Sequence, residues 1–163
     1  MRIAIAPAGT KTSAATIRAL LDIGGVGSDA IQIHAFYRDP TKAPAEFSAH
    51  ADVQILRGDI EDVSSLDFSG ADAVLTSTPP VFDGRDLVAN AQSVSRNVKE
   101  AIEKAGCVQK LVLLSSVGAQ FSEGVVRRSR QTTFTCASLT PDRARSKPTT
   151  RPSKSCQRQR CRR

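Results

Sequence analysis

The chain has 163 residues, 40% of them hydrophobic, with 23 Lys and Arg against 16 Asp and Glu for a formal net charge of +7. The charge is unevenly placed: residues 1–125 hold 11 basic and 15 acidic side chains (11 − 15 = −4), whereas residues 126–163 hold 12 basic side chains and the acid Asp142 (12 − 1 = +11). A body of this size is expected to form one domain, its acidic balance argues against specific nucleic-acid recognition, and no apolar run approaches the roughly 20 residues that span a bilayer, so a soluble, cytoplasmic protein is expected.

In chain order, residues 2–6 form a short apolar strand, 7–13 a small polar loop, and 14–21 a helix with apolar residues at helical spacing, stopped by Gly24 and Gly25. The run 31–37 is a second strand, closed by Arg38, Asp39 and Pro40, and 53–56 a third. Residues 62–67 allow one or two helical turns, and 71–76 form the fourth strand. Residues 86–105 make a long helix with Leu87, Val88, Ala91, Val94, Val98, Ala101 and Ile102 on a broad apolar face, and 110–114 are the fifth strand. Nearly continuous apolar strands alternating with helices predict an α/β fold: a doubly wound parallel sheet of about five strands in the order 3-2-1-4-5, covered on both faces. In such a sheet a ligand sits beyond the carboxyl ends of the strands, at the switch between strands 1 and 4. The residues facing it are 6–13, Arg38, Asp59, 77–80 and 115–118.

The first loop, with Pro7, Ala8, Gly9, Thr10, Lys11 and Thr12, lies where backbone amides and a helix N-terminus, worth about half a unit of positive charge, hold a pyrophosphate. Glycines at three-residue spacing supply the tight turn and close approach of such a loop. The matching positions here hold Pro7, Thr10 and Ser13, and Gly9 is the remaining glycine. Two readings stay open: hydroxyls of Thr10, Thr12 and Ser13 replace the missing contacts, or the loop is a plain strand-to-helix turn with Thr12 or Ser13 as N-cap. Arg38 ends strand 2, where an arginine pairs with the 2′-phosphate of NADP(H) and an acid would prefer the ribose of NAD(H). Such a charge-assisted contact contributes on the order of 1.5–3 kcal/mol, with Lys42 close enough to assist; the alternative is a solvated surface arginine. Asp59 either accepts from the adenine amino group or caps the following turn. Thr78 and Pro79 lie in a rigid polar loop on the nicotinamide side, or make an ordinary turn.

These stretches, 2–21, 35–40, 53–62, 71–79 and 111–119, resemble the NmrA-like group of atypical short-chain dehydrogenases, over residues 1–125. The resemblance implies a Rossmann domain that binds NADP(H), in a group containing both NAD(P)H-dependent reductases and redox-sensing regulators. It implies a dinucleotide loop of residues 7–13, Arg38 with Lys42 at the 2′-phosphate, Asp59 and Ile60 beside adenine, and Thr78 and Pro79 beside the nicotinamide. The missing loop glycines are the departure from the pattern.

Carbonyl reduction by a nicotinamide needs a proton donor near the substrate oxygen, commonly a tyrosine with a lysine four residues on. The single tyrosine, Tyr37, lies on the adenosine side. Ser115 is a weak catalytic candidate at the end of strand 5, yet no lysine occurs between Lys110 and Lys147. The expected function is therefore an NADP(H)-binding domain of an oxidoreductase, without turnover as this chain and with a small-molecule substrate undetermined. A non-catalytic redox-sensing regulator with a protein partner is the alternative, and a non-specific basic nucleic-acid binder acting through residues 126–163 is the third. Cys107 stands apart from Cys136, Cys156 and Cys161, and the histidines His34 and His50 are distant from those three, so neither a disulfide framework nor a metal site is expected.

Residues 126–163 are rich in Arg, Ser, Thr, Pro and Gln and are expected to be disordered. They also replace the family's continuation after Gly124. One codon choice for residues 128–135, read one base earlier, encodes Glu-Ile-Lys-Thr-Asn-His-Ile-His, close to that continuation. The expectation is that 126–163 is an out-of-frame product, leaving an incomplete domain whose fifth strand exposes an apolar edge.

Overall fold

A computed structural model describes residues 1–23 and 30–114. Its sheet comprises β1 (Arg2–Ala6), β2 (Gln32–Tyr37), β3 (Val53–Arg57), β4 (Ala73–Ser77) and β5 (Lys110–Leu114), in the order β3-β2-β1-β4-β5. All neighbouring pairs are parallel. This is the expected doubly wound, Rossmann-like topology.

Side chains alternate across the strands, so β1 to β4 feed two cores. Ile3, Ile5, Ile33, Ala35, Tyr37 and Val53 pack with Ile17 of α1 (Lys11–Ile23) and Phe47 of α2 (Ala45–Ser48). Ala4, Ala6, Phe36 and Val74 pack on the other face against Val94, Val98, Ala101 and Ile102 of α3 (Leu87–Ala105). Those four α3 residues are all buried and lie at helical spacing, as the sequence predicts. Leu87 and Val88, assigned to the same apolar face, are exposed in the first turn of the helix. Asp86 caps α3 by accepting from the amides of Val88 (2.8 Å) and Ala89 (3.2 Å), and Gly106, at φ 65°, ends it in the left-handed conformation.

Two local elements escape the sequence reading. A 3-10 turn at Pro40–Lys42 and the single-turn α2 follow β2, where Pro40 read only as a strand terminator. The signal was Asp39 followed by Pro40: Asp39 accepts from the Thr41 amide at 3.1 Å, and proline occupies the first turn, where no amide is needed. α1 also begins three residues before the expected Ala14, because its cap lies further upstream. The expected turn within 62–67 is a 3-10 turn at Val63–Ser65, capped by Asp62.

Gly58 follows β3 and crosses directly under the Phe36 ring; a Cβ there would stand 2.6 Å from Phe36 Cδ1. Phe36 in turn meets Phe68 edge to face, with ring centroids 5.3 Å apart at 81°. At the other end of the sheet Val112, Leu113 and Leu114 of β5 are exposed. Ser115, Gly24, Gly25, Cys136, Cys156, Cys161 and the segment 126–163 lie outside the described residues.

Candidate dinucleotide site

The parallel register brings the carboxyl ends of β1 and β4 side by side, with Ala6 opposite Thr76. The loop after β1 therefore opens at the switch point, beside the half-buried Thr78 and Pro79. Ala8 is buried, and its amide donates to the Phe36 carbonyl at 2.8 Å, which ties the loop to the end of β2. Among the described residues, the next four amides, of Gly9, Thr10, Lys11 and Thr12, make no backbone hydrogen bond. Four consecutive unengaged donors at the N-terminus of a 13-residue helix are the kind of donor set that an anion accepts from. A pyrophosphate fits this donor set even though Pro7 contributes no amide.

The hydroxyls behave differently from the expectation. Thr10, rather than Thr12 or Ser13, is the N-cap: its Oγ1 accepts from the Ser13 amide at 3.1 Å. The Thr10 hydroxyl donates to Ser13 Oγ at 2.8 Å, and the buried Ser13 hydroxyl donates to the Pro7 carbonyl at 2.7 Å. Both protons are engaged inside the loop, so neither replaces a phosphate contact. Only the exposed Thr12 hydroxyl makes no hydrogen bond among the described residues. A Cβ on Gly9 would meet the Tyr37 ring at an ordinary 3.8 Å, so this glycine is not sterically required.

Arg38 stands at the end of β2 with 70% of its side chain exposed. It does not extend freely into water. Nε pairs with Asp59 Oδ2 at 2.7 Å, Nη2 donates to Asp59 Oδ1 at 3.2 Å, and Nη2 lies 3.9 Å from Glu61 Oε1. Its other edge, carrying Nη1, makes no contact with an acid among the described residues. Lys42, at the end of the turn after Asp39, is exposed and forms no ion pair among them. The Thr41 hydroxyl and amide hold the Asp39 carboxyl below the usual carboxylate range.

Asp59 is thus neither the cap of the following turn, which is Asp62, nor an unengaged acceptor for adenine. Both of its oxygens face Arg38, and Oδ1 also accepts from the Glu61 amide at 3.0 Å. Ile60 is 4% exposed, so its side chain belongs to the core. Its carbonyl accepts from Asn97 Nδ2 at 3.1 Å, and the same amide group reaches the Glu61 carbonyl at 3.0 Å. Arg85, in the loop after β4, donates to both oxygens of Glu61 (3.3 and 3.4 Å) and pairs with Asp83 at 2.7 Å. The sequence reading missed Glu61, Arg85 and Asn97 as site-shaping residues. The contacts that join them across loops, Arg85 to Glu61 and Asn97 to Ile60, span 24 and 37 positions, beyond any local spacing rule.

Tyr37 is buried, and its hydroxyl has no hydrogen-bond partner among the described residues. Burial pushes its pKa up, the reverse of what a tyrosine proton donor needs, and the nearby charges, Arg18 and Glu46, belong to α1 and α2.

A doubly wound parallel sheet with an amide cradle at its switch point defines a Rossmann-type nucleotide-binding domain. The chain belongs to the family described as NAD(P)H-binding, which matches residues 9–147 and so continues past the change of charge at residue 125. No curated protein matches the chain. Among solved structures, the triphenylmethane reductase of a Citrobacter species, complexed with NADP(H), is similar at 22% identity and a TM-score of 0.54, over 74% of this chain and 39% of that one. A Bacteroides thetaiotaomicron protein described as a candidate epimerase is similar at 18% identity and a TM-score of 0.52, over 69% of this chain and 45% of that one. At these identities the likeness carries the fold, and the chain spans less than half the length of either structure. No helix among the described residues is long and apolar enough to cross a membrane.

Proposed function

We propose that residues 1–125 are the NADP(H)-binding domain of an NmrA-like, NAD(P)H-dependent oxidoreductase of the cytoplasm, and that the chain does not turn over substrate by itself. The observation that carries this reading is that the unengaged amides of residues 9–12 and the exposed guanidinium of Arg38 both follow the carboxyl ends of neighbouring inner strands. In this reading the cradle holds the pyrophosphate, Arg38 and Lys42 read the 2′-phosphate, the backbone at Asp59 and Ile60 neighbours the adenine, and Thr78 and Pro79 border the nicotinamide ribose. The dinucleotide supplies the hydride. The chain supplies binding and orientation, and its single tyrosine is buried on the adenosine side without a lowered pKa, which supports the absence of turnover.

Titration of the full chain with NADPH tests the reading. Binding that Arg38→Ala weakens at least ten-fold, with NADH little changed, is the expected result; failure of both nucleotides to bind overturns it. For residues 126–163 we propose an out-of-frame origin, supported by the charge change and the codon reading of 128–135, while the family match as far as residue 147 counts against it. Sequencing the transcript is expected to show a frame change near codon 125. An uninterrupted frame with other codons overturns that origin.

A further inference from the structure

The ends of β2, β3 and β4 carry a chain of alternating charges that no single-residue reading of Arg38 includes. Arg38 meets Asp59 through two contacts (2.7 and 3.2 Å) and Glu61 at 3.9 Å; Glu61 meets Arg85 at 3.3 Å; Arg85 meets Asp83 at 2.7 Å. Two guanidiniums against three carboxylates leave the group at 2 − 3 = −1. The carboxylates of Asp59 and Glu61 are also less exposed (26% and 34%) than Arg38 itself (70%).

We propose that Asp59 is a specificity-determining residue that limits how strongly this site prefers NADPH over NADH, by competing with the 2′-phosphate for the Arg38 guanidinium. The inference rests on the reading of this edge as the dinucleotide site. Arg38 offers a 2′-phosphate its Nη1 edge while Asp59 keeps the Nε edge, so the dianion approaches a neutralised cation with a second acid behind it. Removing one negative charge roughly 6 Å from a dianion, at water-like dielectric, changes its binding by about ten-fold. The difference is expected to shrink with salt, because the cluster is solvent-exposed. The wild-type chain is accordingly expected to discriminate NADPH from NADH by less than ten-fold.

The test uses the full chain and Asp59→Asn, which keeps an acceptor for the Glu61 amide. NADPH and NADH are titrated by fluorescence, and 2′,5′-ADP and 5′-AMP by calorimetry to isolate the adenosine end. The expected result is about ten-fold tighter binding of NADPH and of 2′,5′-ADP, with NADH and 5′-AMP unchanged or slightly weakened. Loss of affinity for all four ligands would show Asp59 to be an adenine contact and overturn the proposal. Loss confined to NADPH and 2′,5′-ADP would show that Asp59 positions Arg38 instead of competing for it, and overturns it equally. Unaltered binding of all four also overturns it. Should Asp59→Asn fail to fold, Glu61→Gln decides in the same direction by a smaller factor, since its carboxylate stands further from Arg38. Failure of the wild-type chain to bind any of the four is the separate outcome in which the cofactor reading itself falls.

Discussion

The two ends of the sheet differ in how their loops are held. On the β2–β3 side, Phe36, Phe47 and Phe68 are almost wholly buried, Gly58 lets the chain pass beneath the Phe36 ring, and Arg38, Asp59, Glu61 and Arg85 cross-link three loops. On the β5 side, Val112 is 54% exposed, and Leu113 and Leu114 are exposed as well. The contrast teaches that the side to which the proposed reading assigns the adenosine is held by burial and ion pairs. The β5 side presents apolar surface to solvent among the described residues.

Three perturbations sharpen that contrast, and their effects descend in size. Phe36→Ala empties the core beneath the ends of β2 and β3 and is expected to destabilise the chain by about 3–5 kcal/mol, read as a fall in the midpoint of denaturant unfolding. A loss below about 1 kcal/mol would mean that this side is not held by this packing. The second perturbation is pH. His34, on the same face of β2, has its pKa lowered from the ordinary 6.5 by burial and then by Arg2, with Asp67 opposing. Its folded pKa lies below its unfolded one, so its contribution is present above pH 6.5 and is lost as pH falls through the lowered folded value. The melting temperature is expected to drop between about pH 7 and 5, above the range where the lowered carboxylates Asp39, Asp62 and Asp67 titrate, and His34→Gln is expected to flatten that drop. A slope unchanged in His34→Gln would assign the effect to other groups. The smallest effect is expected at the opposite end, where Val112→Lys should alter stability by no more than about 0.5 kcal/mol while reducing self-association on light scattering. A large destabilisation there would show that this face is covered in solution.

Much of the fold was legible because parallel strands buried on both faces are nearly continuous in apolar residues. The five strands were placed within two residues of their observed starts, and α3 within one. The strand order followed from the handedness of crossovers, a rule that needs no side-chain detail. The short elements after β2 were missed because Pro40 serves equally as a strand terminator and as the first residue of a turn, and only the capping geometry of Asp39 distinguishes them. The first loop was half legible. Position along the chain placed it at the switch point, but Thr10 and Ser13 could donate outward or inward, and hydroxyl direction depends on the Pro7 carbonyl brought within 2.7 Å by the fold.

The linear order of residues determined the parallel sheet, its 3-2-1-4-5 order, the loop with amides facing the switch point and an arginine at the end of the second strand. Each follows from periodicity or from position within a repeating strand-helix unit, which are local properties of the chain. Tertiary structure alone decided that Asp59 belongs to Arg38, that Glu61 is shared with Arg85, and that Asn97 holds the backbone between them. These contacts join separate loops, and charged side chains on loops choose partners by proximity in space, which no spacing in the sequence encodes.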